Sequence, residues 1–200
     1  MTVRAYLGLG ANLGDPAATL AWAVEALDAL VGVRVRAVSP LYRTAPWGVT
    51  DQPDFRNAVV AIDVTLFPLD LLAACKRLER EAGRRAGRRW GPRELDIDLL
   101  VFGRQQVREE RPPEARSIDA ADDPAKAARL LEVPHHDLGE RLFVLAPLAD
   151  LVPRLVPPGW HETVAKRRRA VAATEAPDAV RLDGTWDPGR RAWHRPVADA

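Results

Sequence analysis

Two serines, four histidines and one cysteine are all that 200 residues offer of the commoner nucleophiles and soft metal ligands. Ser39 and Ser117 lie outside any Gly-x-Ser-x-Gly setting, which argues against a serine hydrolase. His135, His136, His161 and His194 show no His-Glu-x-x-His spacing, so no zinc site is legible. Cys75 alone excludes an internal disulfide and a multi-cysteine metal cluster, and a reducing, cytoplasmic compartment is expected. Charge of one sign is not in excess either. The 29 basic and 28 acidic side chains nearly cancel, so neither nucleic acid nor a membrane surface is an expected partner, and any electrostatic function must be local. No stretch approaches about 18 uninterrupted apolar residues, and the run after Arg4 is too short for a secretory signal, so a soluble protein is expected.

What is there is an apolar content of 47%, enough for one well-buried core. Residues 3–9 read as a strand that Gly8, Gly10, Asn12 and Gly14 break into a turn. Asp15-Pro16 then opens a helix with Leu20, Val24, Leu27 and Leu30 at helical spacing. The glycines do not make a dinucleotide loop, because leucine stands at position 13 where the third glycine belongs, and no lysine follows for a P-loop. Residues 33–38 alternate with period two, giving a half-buried strand ending near Tyr42. Residues 43–54 are a Pro/Gly/Asp-rich loop whose Trp47 either folds back on the core or faces a ligand. Residues 55–66 return to strand character, and 68–82 form an amphipathic helix with Leu71, Leu72, Cys75 and Leu78 on one stripe. Cys75 is therefore a buried apolar residue rather than a nucleophile.

Residues 95–102 form a strand with Leu95, Ile97 and Leu99 on one face and Asp96 and Asp98 on the other. The order strand, helix, strand, strand, helix, strand is that of an α+β, ferredoxin-like two-layer sandwich, with an antiparallel sheet carrying helices on one face. A charged excursion at about 104–130 holds a short strand at 105–107 and a short helix near 124–131. Residues 141–151 close the domain with a short apolar helix. The domain is read as 1–158, followed by an extension, 159–200, that is partly helical (163–173) or irregular. The run Lys166-Arg167-Arg168-Arg169 is read as a solvated basic face.

The chemistry concentrates between Arg84 and Asp98. Two carboxylates on one strand face, about 6.6 Å apart at roughly 3.3 Å per residue, ask for a hard cation such as Mg²⁺. Arg84, Arg85, Arg88, Arg89 and Arg93 put five guanidinium forks within ten residues, and such forks match phosphate oxygens bidentately. Gly83, Gly87 and Gly91 punctuate this arm, as suits a lid that closes on substrate and excludes water. A solvated acid pair beside a solubilising basic loop is the alternative.

Leu7-Gly8-Leu9-Gly10-Ala11-Asn12-Leu13-Gly14-Asp15, Tyr42-Arg43-Thr44-Ala45-Pro46, Asp51-Gln52-Pro53-Asp54-Phe55-Arg56-Asn57-Ala58-Val59, Arg89-Trp90-Gly91-Pro92-Arg93-Glu94-Leu95-Asp96-Ile97-Asp98 and Val133-Pro134-His135 together resemble the 6-hydroxymethyl-7,8-dihydropterin pyrophosphokinases of folate biosynthesis, in order from about Tyr6 to Pro153. The resemblance implies transfer of the β,γ-pyrophosphoryl group of ATP, as co-substrate, to the pterin's hydroxymethyl oxygen with release of AMP, on a ferredoxin-like fold with two Mg²⁺ ions. It implies Asp96 and Asp98 as the metal ligands, one of them helping to deprotonate the alcohol, and Arg84, Arg93 and Asp98 as the catalytic group. Glu79, Arg88, His135, His136 and Arg141 are implied on the nucleotide side. Phe55 and Phe143 are implied as the aromatics stacking on the pterin, Asn57 as its ring-binding amide, Thr44, Pro46 and Trp47 as the adjoining loop, and Trp90 on the lid. A monomer is expected, with a dimer as the alternative.

Three departures from the family pattern stand out, one being that the excursion from Gly103 to Arg129 and the tail after about Gly159 exceed the minimal domain. Between Gly83 and Trp90 the chain is a residue shorter than in the best-known members, which leaves open whether Arg85 or Arg88 serves the closed lid. Glu132 puts a negative charge where family members often carry a polar, uncharged residue. A reading from another class, a non-catalytic nucleotide- or RNA-binding module, predicts exposed aromatics on the central strands.

Overall fold

β1 (Val3–Ala11) is the central spine of the sheet, with β4 (Phe55–Val64) antiparallel on one side and β5 (Asp96–Phe102) antiparallel on the other. The structure is a computed structural model and describes residues 1–46, 51–84, 91–115 and 127–194. Beyond β4 lie β2 (Val33–Val38) and β3 (Leu41–Thr44), both paired antiparallel with it, and then β8 (Val180–Asp187) and β9 (Ala192–His194). The single strand expected from 33 to about 42 is thus two, parted at Ser39-Pro40, where proline cannot donate to a ladder. β6 (Val107–Glu110) and β7 (Arg129–Val133) form a separate ribbon. Of the short helix expected near 124–131, residues 127–128 are helical, but from Arg129 the chain is strand, where alternating Leu131 and Val133 turn into the core; residues 124–126 lie outside the described residues.

α1 (Pro16–Ala29) starts where the sequence predicts. The Asp15 carboxylate accepts from the Ala18 N–H at 3.1 Å and Pro16 occupies the first turn, a cap contributing about 1 kcal/mol. α2 (Pro68–Glu81) has no side-chain cap and relies on Pro68 and on its buried stripe of Leu71, Ala74, Cys75 and Leu78. It ends at Gly83, whose φ of 95° a side chain would oppose, and the chain turns there into Arg84. Both helices pack on one sheet face through Leu20, Leu27, Leu71 and Leu78 against Leu7, Leu9, Ile62, Ile97 and Phe102. Burying each such side chain contributes roughly 1.5–3 kcal/mol.

Helices reach the other face as well. α3 (Leu142–Leu151) and α4 (Val164–Ala172, capped by Thr163) bring Leu145, Leu148 and Val164 against Tyr6, Val59, Ala61 and Leu100. They cover only part of that face. The part left open is where the chemistry lies.

Candidate active site

Sheet register alone assembles the floor of the site. Asp96 stands opposite Gly10, Gly10 opposite Asn57, and Asn57 opposite Tyr42, while Asp98 stands opposite Gly8 and Gly8 opposite Val59. Directly opposed residues in antiparallel strands share a face, so the two acids, Asn57 and Thr44 all project from the same side. Gly8 and Gly10, expected to end β1, lie inside it instead. The physical reason is space: a Cβ on Gly10 would sit 3.2 Å from Asn57 Oδ1.

Above this floor is a cavity of about 750 Å³ lined by Thr44, Pro46, Phe55, Asn57, Arg84, Arg93, Asp96, Asp98, His135, His136, Arg141 and Phe143. These are the residues anticipated from sequence, apart from Trp47, Arg88 and Trp90, which lie outside the described residues, and Glu79. Glu79 stands behind the wall, 2% exposed. Its Oε1 accepts from the Ile97 N–H at 2.8 Å and from Lys76 Nζ at 2.7 Å, and its Oε2 lies 2.6 Å from Arg84 Nη1. Burial pushes its carboxyl above the usual range, against the pull of Lys76. Glu79 therefore anchors Arg84 and does not reach into the cavity.

The two aspartates differ. Burial would raise the Asp96 pKa, but Arg93 and Arg84 outweigh it and hold the carboxyl well below its usual range. Arg84 Nη1 is 2.6 Å from Asp96 Oδ1, and Arg93 pairs with Oδ2. Asp98, two residues on, makes no side-chain hydrogen bond or ion pair among the described residues. Burial, and then the Asp96 charge, push it up to about 6. A carboxylate without a direct ion pair beside a second carboxylate is a donor set that suits Mg²⁺, which takes oxygen ligands and commonly binds through one or two carboxylates plus phosphate. The residues therefore fit the implied metal.

His135 is fixed from both sides. Its N–H donates to the Leu100 carbonyl at 2.9 Å, tying it to β5, and its Nδ1 accepts from the Asp137 N–H at 3.2 Å, which assigns the ring proton to Nε2. Burial, and then Arg141, lower its pKa to about 4, so near pH 7 it is a neutral donor. Arg141 pairs with Asp137 and lies 5.8 Å from the centroid of the Phe143 ring, a cation–π contact. At the other end of the cavity, Asn57 Nδ2 donates to Thr44 Oγ1 at 2.9 Å, leaving Oδ1 over Gly10.

Three features escaped the sequence. Lys76 joins the cavity wall from α2, and nothing about its position on an amphipathic helix marks it. Asn12 is buried and ties two loops together: its Oδ1 accepts from the Arg93 N–H at 2.7 Å, and its Nδ2 donates to Gln52 Oε1 at 3.0 Å and to the Pro53 carbonyl at 2.9 Å. A buried polar residue inside a quoted motif was the available signal. Ala179 and Val180, from the extension, also line the cavity. β1 and β5 contribute no aromatic to the cavity lining, and β4 contributes Phe55.

Residues 6–153 match the family described as 7,8-dihydro-6-hydroxymethylpterin-pyrophosphokinase. A 2-amino-4-hydroxy-6-hydroxymethyldihydropteridine pyrophosphokinase of Methylorubrum extorquens is 47% identical over 180 residues, covering 90% of this chain and 99% of that protein. Its namesake in Pseudomonas aeruginosa is 44% identical over 162 residues, covering 80% and 88%. Among solved structures, the wild-type HPPK-DHPS of Plasmodium falciparum superposes with a TM-score of 0.72 at 13% identity, over 100% of this chain and 51% of that one, which shows a shared fold.

Proposed function

The chain belongs to the 7,8-dihydro-6-hydroxymethylpterin-pyrophosphokinase family, and from that premise we propose how its cavity carries out the family's reaction. The protein transfers the pyrophosphoryl group of ATP to the hydroxymethyl oxygen of 6-hydroxymethyl-7,8-dihydropterin, in folate biosynthesis. The atoms balance with the pterin diphosphate and AMP as products, one P–O bond forming at the β-phosphorus as the bond to the α-phosphate oxygen breaks.

One observation carries the assignment of parts. A single cavity joins an acid pair flanked by guanidinium groups to an Asn–Thr pair with two phenylalanines nearby. In our reading the first end takes the triphosphate and the second the pterin. Phe55 and Phe143 stack on the flat heterocycle, and Asn57 Oδ1 accepts from a ring N–H at its edge. Pro46 adjoins it. Arg84 and Arg93 exchange the Asp96 carboxylate for phosphate oxygens as ATP binds, which leaves Asp96 free. His135 Nε2–H donates to a phosphate oxygen without adding charge, Arg141 adds a fixed cation, and His136 completes the nucleotide side. Asp96 and Asp98 would hold two Mg²⁺ ions, and one of the two carboxylates helps to remove the hydroxyl proton. Bound there, Mg²⁺ neutralises charge on the transferring group.

A monomer as the working unit, with a dimer as the alternative, belongs to the proposal. A cytoplasmic location is part of the same proposal. Its support is a lone, buried thiol, and among the described residues no helix is long and apolar enough to cross a membrane. The experiment is to incubate the protein with ATP, Mg²⁺ and the hydroxymethyl pterin and to identify the nucleotide released. AMP is expected; ADP would make it an ordinary kinase, and no turnover at saturating substrate would overturn the reading.

A further inference from the structure

The family match ends at residue 153, yet the chain beyond it reaches the cavity. β8 lies antiparallel to β3 with Val180 opposite Thr44 and Leu182 opposite Tyr42. Thr44 is opposite Phe55, and Tyr42 is opposite Asn57. Two rows of same-face positions therefore run from β8 through β3 into β4, and the second continues through Gly10 to Asp96. From β8 to β5 is four strand spacings of about 4.8 Å, roughly 19 Å in all. The acids stand at one end of this floor and Val180 at the other, and Ala179 and Val180 both line the cavity.

The attachment of β8 is specific. Its register shifts between residues 182 and 184 against Leu41 and Tyr42, so Asp183 is the extra residue of a bulge. Its carboxylate passes beyond β3 to pair with Arg56 on β4, between Phe55 and Asn57. Both side chains are only 18% exposed. Two further ties join other parts of the extension to the neighbourhood of β3: Trp193 Nε1–H of β9 donates to the Ser39 carbonyl at 2.9 Å, and Arg168 of α4 reaches Asp150 of α3, which accepts the Tyr42 hydroxyl at 2.5 Å. Without β8 the outer edge of β3 would be unpaired. The strand carrying Thr44, and through it the Thr44–Asn57 hydrogen bond, would lose its support.

We propose that this C-terminal extension is part of the pterin subsite. Val180 forms the subsite's outer wall and sets the size of ring system admitted, and the Arg56–Asp183 pair is a positioning contact that keeps Phe55 and Asn57 in register with Thr44. This rests on assigning the Thr44–Asn57 end of the cavity to the pterin.

The test measures KM for the pterin and for ATP, kcat and thermal stability of the full chain in four variants. Val180→Trp should raise the pterin KM by about tenfold or more with the ATP KM within about twofold, since it removes binding from one substrate only. Asp183→Arg should raise the pterin KM in the same selective way, and Arg56→Asp/Asp183→Arg, which restores the pair with its charges exchanged, should recover most of the loss. A purely structural role predicts instead that melting temperature, kcat and both KM values shift together without rescue, and that outcome overturns the proposal. So does an unchanged pterin KM in both Val180→Trp and Asp183→Arg. Asn57→Ala separates the two levels. If it raises the pterin KM while the extension variants do nothing, only the role of the extension falls; if it too has no effect, the assignment of this end to the pterin falls with it.

Discussion

Replacing Asp98 by Asn should abolish transfer and yet make the metal-free protein more stable at neutral pH. The ordinary pKa of the carboxyl is 3.8, and burial with the neighbouring Asp96 charge pushes it up to about 6. A raised pKa means that the fold favours the protonated form. That contribution is fully present below the unfolded value and is lost as pH rises through about 6, above which ionised Asp98 works against the folded state. A displacement of about two pH units corresponds to about 3 kcal/mol, or roughly 2 kcal/mol once water entering the cavity is allowed for. An amide is nearly isosteric, carries no charge and gives up no partner, because Asp98 has none among the described residues. For a chain of this length about 2 kcal/mol is a rise in melting temperature of roughly 4–8 °C. The assay is thermal unfolding of wild type and Asp98→Asn in a chelator at pH 8 and at pH 5. The gain should be present at pH 8 and shrink at pH 5, where wild-type Asp98 is already largely protonated. Added Mg²⁺ should raise the wild type and not the variant, closing the gap by mass action. A variant that melts at or below wild type at pH 8 would refute the view that function has placed an uncompensated charge there.

Arg84→Ala should lower kcat by about a hundredfold with a smaller change in ATP KM, as expected of a contact that strengthens in the transition state; an unchanged kcat would remove it from catalysis. The same change leaves the buried Glu79 carboxylate with Lys76 as its remaining cation partner, so denaturant unfolding should register a loss of about 1–3 kcal/mol. Gly10→Ala places a Cβ 3.2 Å from Asn57 Oδ1 and should raise the pterin KM several-fold with ATP KM unmoved; equal effects on both substrates would count against Asn57 as the ring-binding amide. Cys75 is 1% exposed and burial pushes its thiol up to about 12, so a thiol reagent should label it only after unfolding. Rapid labelling of native protein would contradict the core assignment.

Much of the site is legible in the sequence because its signals are local. Asp96 and Asp98 share a face for the reason that any i, i+2 pair on a strand does, and the arginines flanking them are close together in the chain. The α1 cap at Asp15-Pro16 and the buried stripe around Cys75 are readable on the same grounds. Two expectations fail because a local signal is not sufficient. Glycine within residues 3–11 suggests a turn, but neighbouring strands supply the pairing that keeps Gly8 and Gly10 extended, and the missing side chains leave room for Asn57. Glu79 is implied as a nucleotide contact, but its helix position turns it inward, where it anchors Arg84.

By itself the sequence determined the acid pair, the arginine-rich arm and the stripes that build both sheet faces, since each depends on spacing within a dozen or so residues, and it carried the family pattern as an ordered series of such short motifs. The tertiary structure alone decided which acid is ion-paired and which is not, because Arg84 and Arg93 both converge on Asp96. It alone brought residues 179 and 180 to a cavity whose acids lie more than eighty residues earlier in the chain. Strand register joins positions that no local spacing relates, and β8 meets β3 only once the sheet has formed.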